Sequence, residues 1–302
     1  MNPTEPAWDL YRSFLAVLEE GSLSGAARAL ALTQPTIARH IDALEESVGF
    51  ELFTRSQRGL SATEGALALK PYAQSLAATA SAMRRAASGY GETVRGTVRV
   101  SAGEIVGVEV LPPIFAALRR QHPQLEIELA LSNRVENLLQ RDADIAVRMV
   151  APAQDSLLAK RIGHVPLGLY AHRDYLARRG TPKTLAALAQ HDLVGFDRET
   201  PEIRSIRARM MPGFPSMRFA FRSDNDAAQL AAIRAGFGIG FFHVALARRD
   251  ANLVRVLASA FGYKLDIWVV MHEDLRSTPR CRAVFDALAS GLRNYADAGQ
   301  KR

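Results

Sequence analysis

The chain has 302 residues, enough for two or three domains, and is 48% hydrophobic and 23% charged, the proportions of an ordinary globular protein. A single cysteine, Cys281, excludes an intramolecular disulfide and a cysteine-rich zinc site, and no apolar run approaches membrane-spanning length. The net charge of +7 is not in itself a nucleic-acid signature, because residues 1–90 carry 8 Lys+Arg against 9 Asp+Glu and the whole excess lies in residues 91–302.

The opening MNPTEPAWDL has neither a basic nor an apolar leader region, which points to the cytoplasm. Trp8 to Glu20 reads as a first helix, with Leu10, Phe14, Val17 and Leu18 as its buried stripe. Ser22 can cap a short second helix, whose Ala26, Ala27 and Leu30 give a small apolar contact face. After the turn at Ala31-Leu32, Thr33 is a good N-cap for a third helix with Pro35 in its first turn, where a missing N–H costs nothing. Ile37, Ile41, Leu44 and Val48 recur at 4-3-4 spacing and share one face of it, and Gly49 ends it. Two short helices crossing on small residues make a helix-turn-helix.

The opposite face of the third helix carries Pro35 and Arg39, flanked by Gln34, Thr36 and His40 near its N-terminal end. That is the end a recognition helix puts into the major groove. Arginine pairs with guanine O6/N7 and glutamine with adenine N6/N7, so Thr33, Gln34, Pro35, Thr36, Arg39 and His40 form a candidate DNA-reading set. Leu52-Phe53 can anchor a strand, and Thr54 to Gly59 reads as a polar wing whose Arg55 and Arg58 reach phosphates.

Thr63 opens a helix that runs to about Ala87, about 37 Å long. Leu69, Tyr72, Leu76, Ala80, Met83 and Ala87 recur at 3-4-4-3-4 spacing, a coiled-coil-like seam, and Pro71 should kink it. Such a seam suits a linker that pairs two copies; the alternative is a helix packed back on its own domain. Ser88 to Gly91 marks a boundary, after which strands and helices alternate. Strands are expected at Thr97–Ser101, Leu125–Leu131, Ala143–Met149, Leu157–Arg161, Leu167–Ala171, Leu193–Phe196, Met217–Ser223, Gly238–Phe242 and Lys264–Met271. Helices are expected at Leu111–Gln121, Val135–Gln140, Leu185–Ala189, Asp226–Ala235 and Arg280–Tyr295. This rhythm implies a mostly parallel sheet flanked by helices, in two lobes joined by two crossover strands.

The run AARALALTQPTIARHIDALEESVGFELFTR resembles the DNA-binding motif of LysR-type transcriptional regulators, on Ala26-Ala27, Leu30, Gln34-Pro35, Arg39, Ile41, Leu44-Glu45, Gly49, and Leu52-Phe53 followed by Arg55. It departs at Ala38, where the family commonly has Ser. The segments TVRVSAGEIVG, VLPPIFAALRRQHPQLEIEL and DADIAVRM resemble the effector domain of the same family, itself similar to periplasmic binding proteins. The resemblance implies a mixed fold: an N-terminal all-α winged helix-turn-helix (1–62) plus a linker/dimerisation helix (63–90), then a two-lobed α/β effector-binding domain (91–302). Lobe I would take 91–165 and 267–302, and lobe II 166–266. It further implies pairing through the linker, assembly into dimers or tetramers, and an effector cleft lined by Ser101, Ser132, Arg148 and Phe196.

The residues support that cleft independently, since ligands of open α/β sheets bind beyond the carboxyl ends of the strands. Those ends carry Ser101, Gly103 and Glu104; Ser132 and Asn133; Arg148; Phe196; and Asp224. Arg148 follows an apolar strand and needs an anionic partner, either an effector carboxylate or an internal acid such as Glu104 or Asp144. No G-x-S-x-G elbow, P-loop or G-x-G-x-x-G after a strand occurs, and the seven histidines show no metal spacing. The favoured reading is therefore a cytoplasmic, sequence-specific regulator and not an enzyme. Its partners would be double-stranded promoter DNA, a second copy of itself, a small effector that Arg148 allows to be anionic, and RNA polymerase, with no cofactor, metal or membrane. The alternative is a solute-binding or enzymatic α/β domain fused to a helix-turn-helix.

Overall fold

The computed structural model describes residues 5–56, 59–88, 93–133, 143–152, 157–199 and 218–300, with 204 and 208 between the last two. Arg58 and the helix expected at Val135–Gln140 lie outside the described residues. Two compact units form, one from the chain up to Ala87 and one from Ser88 onward.

The first unit contains α1 (Trp8–Glu20), α2 (Leu23–Leu30), α3 (Gln34–Val48), the hairpin of β1 (Phe53–Ser56) and β2 (Gly59–Ala62), and α4 (Glu64–Ser88). Each helix boundary has a local cause. Gly21 closes α1 in the left-handed region, Ser22 accepts from Gly25 N to open α2, and Thr33 accepts from Thr36 N to open α3. Gly49, at φ 81°, closes α3. Phe14 and Val17 of α1, Ala26 and Ala27 of α2, and Ile37, Ile41 and Leu44 of α3 meet in one buried cluster with Leu52, Ala66 and Ala73. Thus α4 packs its first turns on the unit through Ala66, Leu69 and Ala73 and continues unbroken through Pro71. On another side of the same helix Tyr72, Leu76 and Met83 stand 72%, 47% and 66% exposed, a row of apolar side chains without a covering in this unit.

The second unit contains β3 (Gly96–Ala102), α5 (Glu104–Glu109), α6 (Leu111–Gln121), β4 (Leu125–Leu131), β5 (Ile145–Arg148), β6 (Leu157–His172), α7 (Arg173–Arg179), β7 (Leu193–Gly195) and β8 (Phe219–Arg222). It continues with α8 (Asp226–Arg234), β9 (Gly240–His243), α9 (Val244–Ala247), β10 (Leu253–Val256), β11 (Tyr263–His272) and α10 (Pro279–Gln300). A seven-stranded sheet runs β10-β6-β11-β5-β3-β4, with β9 also on β6, while β7 and β8 form a small parallel sheet.

Three expectations are corrected here. The large sheet is not mostly parallel: β3 pairs parallel with β4 and β5, whereas β11 with β5 and β6, and β6 with β9 and β10, are antiparallel. Within the large sheet, parallel pairing is confined to β3, β4 and β5. The strands expected at Leu157–Arg161 and Leu167–Ala171 are one 16-residue strand. Gly163 and Pro166 read as breakers in the sequence, but β11 pairs with β6 on both sides of them, and the register shift between Ile267 and Trp268 leaves Ile162 as the extra, bulged residue. The helix expected at Leu185–Ala189 is a 3-10 turn, Ala186–Gln190. Sequence reading also passed over β10, α5, α7 and α9, all short.

The sheet has two distinct faces. Val98, Val100, Ile145, Val147, Ile267 and Val269 bury one face in a cluster shared with Leu111, Val284, Leu288, Leu230 and Phe242, and a separate cluster gathers Leu169, Tyr175, Leu188, Leu193, Ile239 and Phe261. The other face holds the smaller group Ala143, Ala146 and Val270 with Ala159 and Trp268. Within the large core, His243 Nδ1 lies 2.6 Å from Tyr295 Oη; burial pushes the imidazole down to about 4 and the phenol up.

Candidate functional site

The first candidate surface is built on α3. Ile37, Ile41 and Leu44 turn inward, so Gln34, Pro35 and Arg39 are turned outward by helical geometry and stand exposed. Thr33 and Thr36 are committed to the helix start, their hydroxyls 2.8 Å apart and the Thr33 oxygen accepting from Thr36 N. They shape the end of the helix, beside the exposed Gln34 and Arg39. His40, at the edge of the face, is not free in the same way: its Nδ1 lies 2.7 Å from Ser13 Oγ of α1. Ser13 is 1% exposed, so this contact satisfies a buried hydroxyl and fixes the imidazole to α1.

The hairpin is set against α3 by a residue to which the sequence reading gave no role. Glu45 Oε1 accepts from Leu52 N at 2.6 Å and Phe53 N at 3.3 Å, so the side chain of α3 holds the start of β1. At the other strand, Leu60 N donates to Gly21 O at 3.0 Å. Gly59 is required there: at φ +116° a Cβ would come within 2.7 Å of Gly21 O. Arg55 on β1 is exposed, and Arg28 on α2 is exposed as well. These are donors suited to phosphate oxygens. The signal for Glu45 lay in the sequence as an acid on the core-side flank of an otherwise apolar stripe; the signal for Ser13 was a polar residue beside Phe14.

The second candidate surface lies at the carboxyl ends of β3 and β5. The register Ser101↔Ala146 brings Ser101 next to β5, and Arg148 Nη2 donates to Ser101 Oγ at 2.8 Å while Nη1 donates to Val147 O at 3.0 Å. Ser101 is 1% exposed and Arg148 half-buried. Beyond β3, Asn133 joins the start of α5 to the start of α8. Its Oδ1 accepts from Glu104 N at 3.1 Å and its Nδ2 donates to Asp226 Oδ2 at 3.1 Å. Gly103 lies under this amide, with space for a Cβ only 3.3 Å from Asn133 Oδ1. Glu104 Oε2 in turn accepts from Asp226 N at 2.8 Å, at the start of α8. Burial and the neighbouring Glu104 charge push the Asp226 carboxyl up to about 6, partly offset by the Asn133 bond.

The remaining predicted residues are spread along the same end. Ser132 N donates to Ala102 O at 2.9 Å, continuing the β3–β4 ladder. Phe196, just after β7, is 37% exposed. Asp224 is spent on its own lobe: Oδ1 accepts from Asp197 N at 3.1 Å and Arg198 N at 2.8 Å, and Oδ2 lies 3.3 Å from Arg198 Nε. It holds the ends of β7 and β8 together, a role visible only once those strands are paired. The structure therefore brings together Ser101 with Arg148, and Gly103 with Glu104 and Asn133, and places Asp226 with the latter group. Asp226 was read from sequence only as a helix start.

Comparison with known proteins fits this arrangement. Residues 8–67 match the model of the bacterial regulatory helix-turn-helix protein, lysR family, and residues 91–293 match the LysR substrate binding domain. The chain belongs to the LysR family. LysR-family proteins with this pair of domains are DNA-binding transcriptional regulators with an effector-binding domain, and that is what this chain is. Among its relatives is the probable HTH-type transcriptional regulator LtrA of Klebsiella pneumoniae, 25% identical over 91% of this chain and 92% of that one. Among solved structures, CrgA of Neisseria meningitidis, a LysR-type transcriptional regulator, aligns over 94% of this chain and 98% of its own at 25% identity and a TM-score of 0.60. Full-length CbnR, solved with its target DNA, shares the fold over 96% of this LysR-family chain and 100% of its own, at 23% identity and a TM-score of 0.63. Among the described residues no helix is long and apolar enough to cross a membrane.

Proposed function

We propose that this LysR-family protein reads promoter DNA with the exposed N-terminal half of α3 and with the β1–β2 wing, and that a small effector adjusts the outcome. The observation that carries this reading is the outward face of α3, where Gln34 and Arg39 are exposed on a helix locked by Ile37, Ile41 and Leu44. In this reading Gln34 and Arg39 contact base edges, Thr33, Pro35 and Thr36 shape the helix end, His40 flanks it, and Arg55 and Arg58 bind phosphates. The units divide as residues 1–62 for DNA, 63–90 for pairing and 91–302 for the effector.

The exposed row Tyr72, Leu76 and Met83 on α4 supports pairing of two copies, which suits a dyad-symmetric DNA site. Dimers joining into tetramers in the cytoplasm, and contact with RNA polymerase, complete the proposal. The effector site is placed at Ser101, Gly103, Glu104, Ser132, Asn133, Arg148 and Phe196; Asp224 supports this rim from within. An effector acts only through unequal affinity for two arrangements of the protein, so its site must join parts that move. The Glu104–Asn133–Asp226 link between lobes meets that requirement.

The test is selection of genomic fragments by the purified full-length protein, followed by footprinting. A recovered dyad site that loses protection in Arg39→Ala is the expected result. Enrichment of no fragment above random DNA at physiological salt would overturn it.

A further inference from the structure

The face of the sheet that carries Ser101 and Arg148 has a third member. In the β5–β11 ladder Arg148 stands directly opposite Trp268, and in the β6–β11 ladder Trp268 stands opposite Arg161. Side chains opposite one another in a ladder share a face. Arg161, Trp268 and Arg148 therefore form a row across three neighbouring strands, next to Ser101. Trp268 Nε1 in this row is buried and meets no hydrogen-bond acceptor among the described residues. Its neighbours do have bonds: Arg161 Nη2 donates to Asp266 Oδ1 at 2.8 Å, and Arg148 donates to Ser101 Oγ.

An indole N–H is a donor only, and when buried it ordinarily finds an acceptor. Each buried polar group left without one calls for an explanation. The surroundings narrow the partner. It must offer an acceptor to Trp268 beside a guanidinium, at the strand ends where ligands of such sheets bind. A carboxylate is acceptor-only when ionised and has two oxygens, enough for the indole N–H and a guanidinium together.

We propose that Trp268 is a ligand-reading residue of the effector site and that the effector it reads carries a carboxylate, one oxygen on the indole N–H and the other at Arg148. This deepens the effector reading above and rests on it. Because Nε1 is buried, the ligand reaches it only as the packing around Trp268 opens. The bulged Ile162 lies beside Trp268 in the β6–β11 ladder, where the pairing already yields. Binding and rearrangement are thereby joined at one residue, as an effector-driven change requires.

The sequence has two tryptophans, Trp8 and Trp268, so full-length Trp8→Phe leaves Trp268 as the sole indole. Its resonance Raman spectrum reports whether the indole N–H is hydrogen-bonded. The probes are acetate, succinate and benzoate, each against its amide. Expected is an unbonded signature without added acid, moved saturably to the bonded one by at least one acid, with the amide needing at least about tenfold more. Calorimetry with that acid should show at least about tenfold weaker binding to Trp268→Phe. A bonded signature before any acid, no movement with any of the three, or equal affinity in Trp268→Phe overturns the proposal. The Raman arm needs no Trp268 variant, so a misfolded Trp268→Phe does not decide the matter. The effector reading is tested separately by whether a cell metabolite extract changes the footprint. A changed footprint with a silent indole removes Trp268 and the carboxylate and leaves the effector domain standing.

Discussion

The two candidate surfaces are finished to different degrees. On α3, Gln34 and Arg39 are exposed, and among the described residues their side chains carry no hydrogen bond. At the ends of β3 and β5, Arg148 is already on Ser101, Glu104 on the α8 backbone, Asn133 on both lobes, and Asp224 on the ends of β7 and β8. A surface that reads bases needs rigid scaffolding and free donors, because the sequence information is in the partner. A surface that senses a small molecule works by exchange: the ligand's bonds replace or join existing ones, and the loss of the old bonds is the signal.

The comparison can be broken most severely at its scaffold. Leu44→Ala removes a fully buried side chain from the small core beneath α3 and should cost about 2–5 kcal/mol. Urea unfolding followed by circular dichroism should show this loss, with DNA affinity falling alongside. The scaffold of the other unit can be probed by pH through His243, held near 4 against an unfolded value near 6.5. Between those values the unfolded chain binds the extra proton. The stabilisation is therefore complete above about 6.5 and lost as pH falls toward 4, on the order of 3 kcal/mol in all. His243→Asn should flatten that slope in denaturation curves taken from pH 7 to 4, whatever it does to stability at pH 7.

The functional faces come next. Arg39→Ala should weaken binding to the selected dyad site by about 1–3 kcal/mol and leave random-sequence binding nearly unchanged. An equal loss on both would make Arg39 a phosphate contact. Ser13→Ala removes the hydroxyl that ties His40 to α1, for about 1 kcal/mol of stability. Site affinity should fall with it, and His40→Ala should add little to the double variant if the two act as one unit. The smallest effect sharpens the other side. Glu104→Gln removes the negative charge beside Asp226, so the Asp226 carboxyl should titrate lower than about 6 in a carbon-detected NMR titration. The folded protein holds that proton more tightly than the unfolded chain, so Asp226 favours folding below pH 6 and the contribution fades as pH rises through it. Glu104→Gln should weaken this dependence.

The same contrast explains what was legible in the sequence. Everything that builds α3 is local: Thr33, Pro35, the 4-3-4 stripe and Gly49 lie within seventeen residues, and each acts through its near neighbours. The outward residues Gln34, Pro35 and Arg39 follow from that periodicity by subtraction. The effector site depends on register between strands far apart in the chain. Ser101 and Arg148 are each legible as residues at a strand end, but nothing local says that their side chains touch. Nothing local to Trp268 says that it stands opposite Arg148, 120 positions earlier. The single long β6 was missed for a related reason, since Gly163 and Pro166 interrupt a strand that only β11 holds in line. Asp224 was expected at the effector, and its carboxylate accepts from the Asp197 and Arg198 backbone, because a carboxylate at a strand end looks the same in sequence whether it faces a ligand or a neighbouring backbone.

The long antiparallel pair β6 and β11 sets a limit on how the effector unit can move. All ten residues of β11 pair along the sixteen-residue β6, with a single bulge at Ile162. Two bodies on a ribbon of this kind are joined by a flexure, as in a precision instrument, and not by a pin. A flexure has a rest angle, resists in proportion to displacement, and returns without a catch. The regulator's response to its effector should accordingly be graded in angle and quickly reversible, ending when the small molecule leaves.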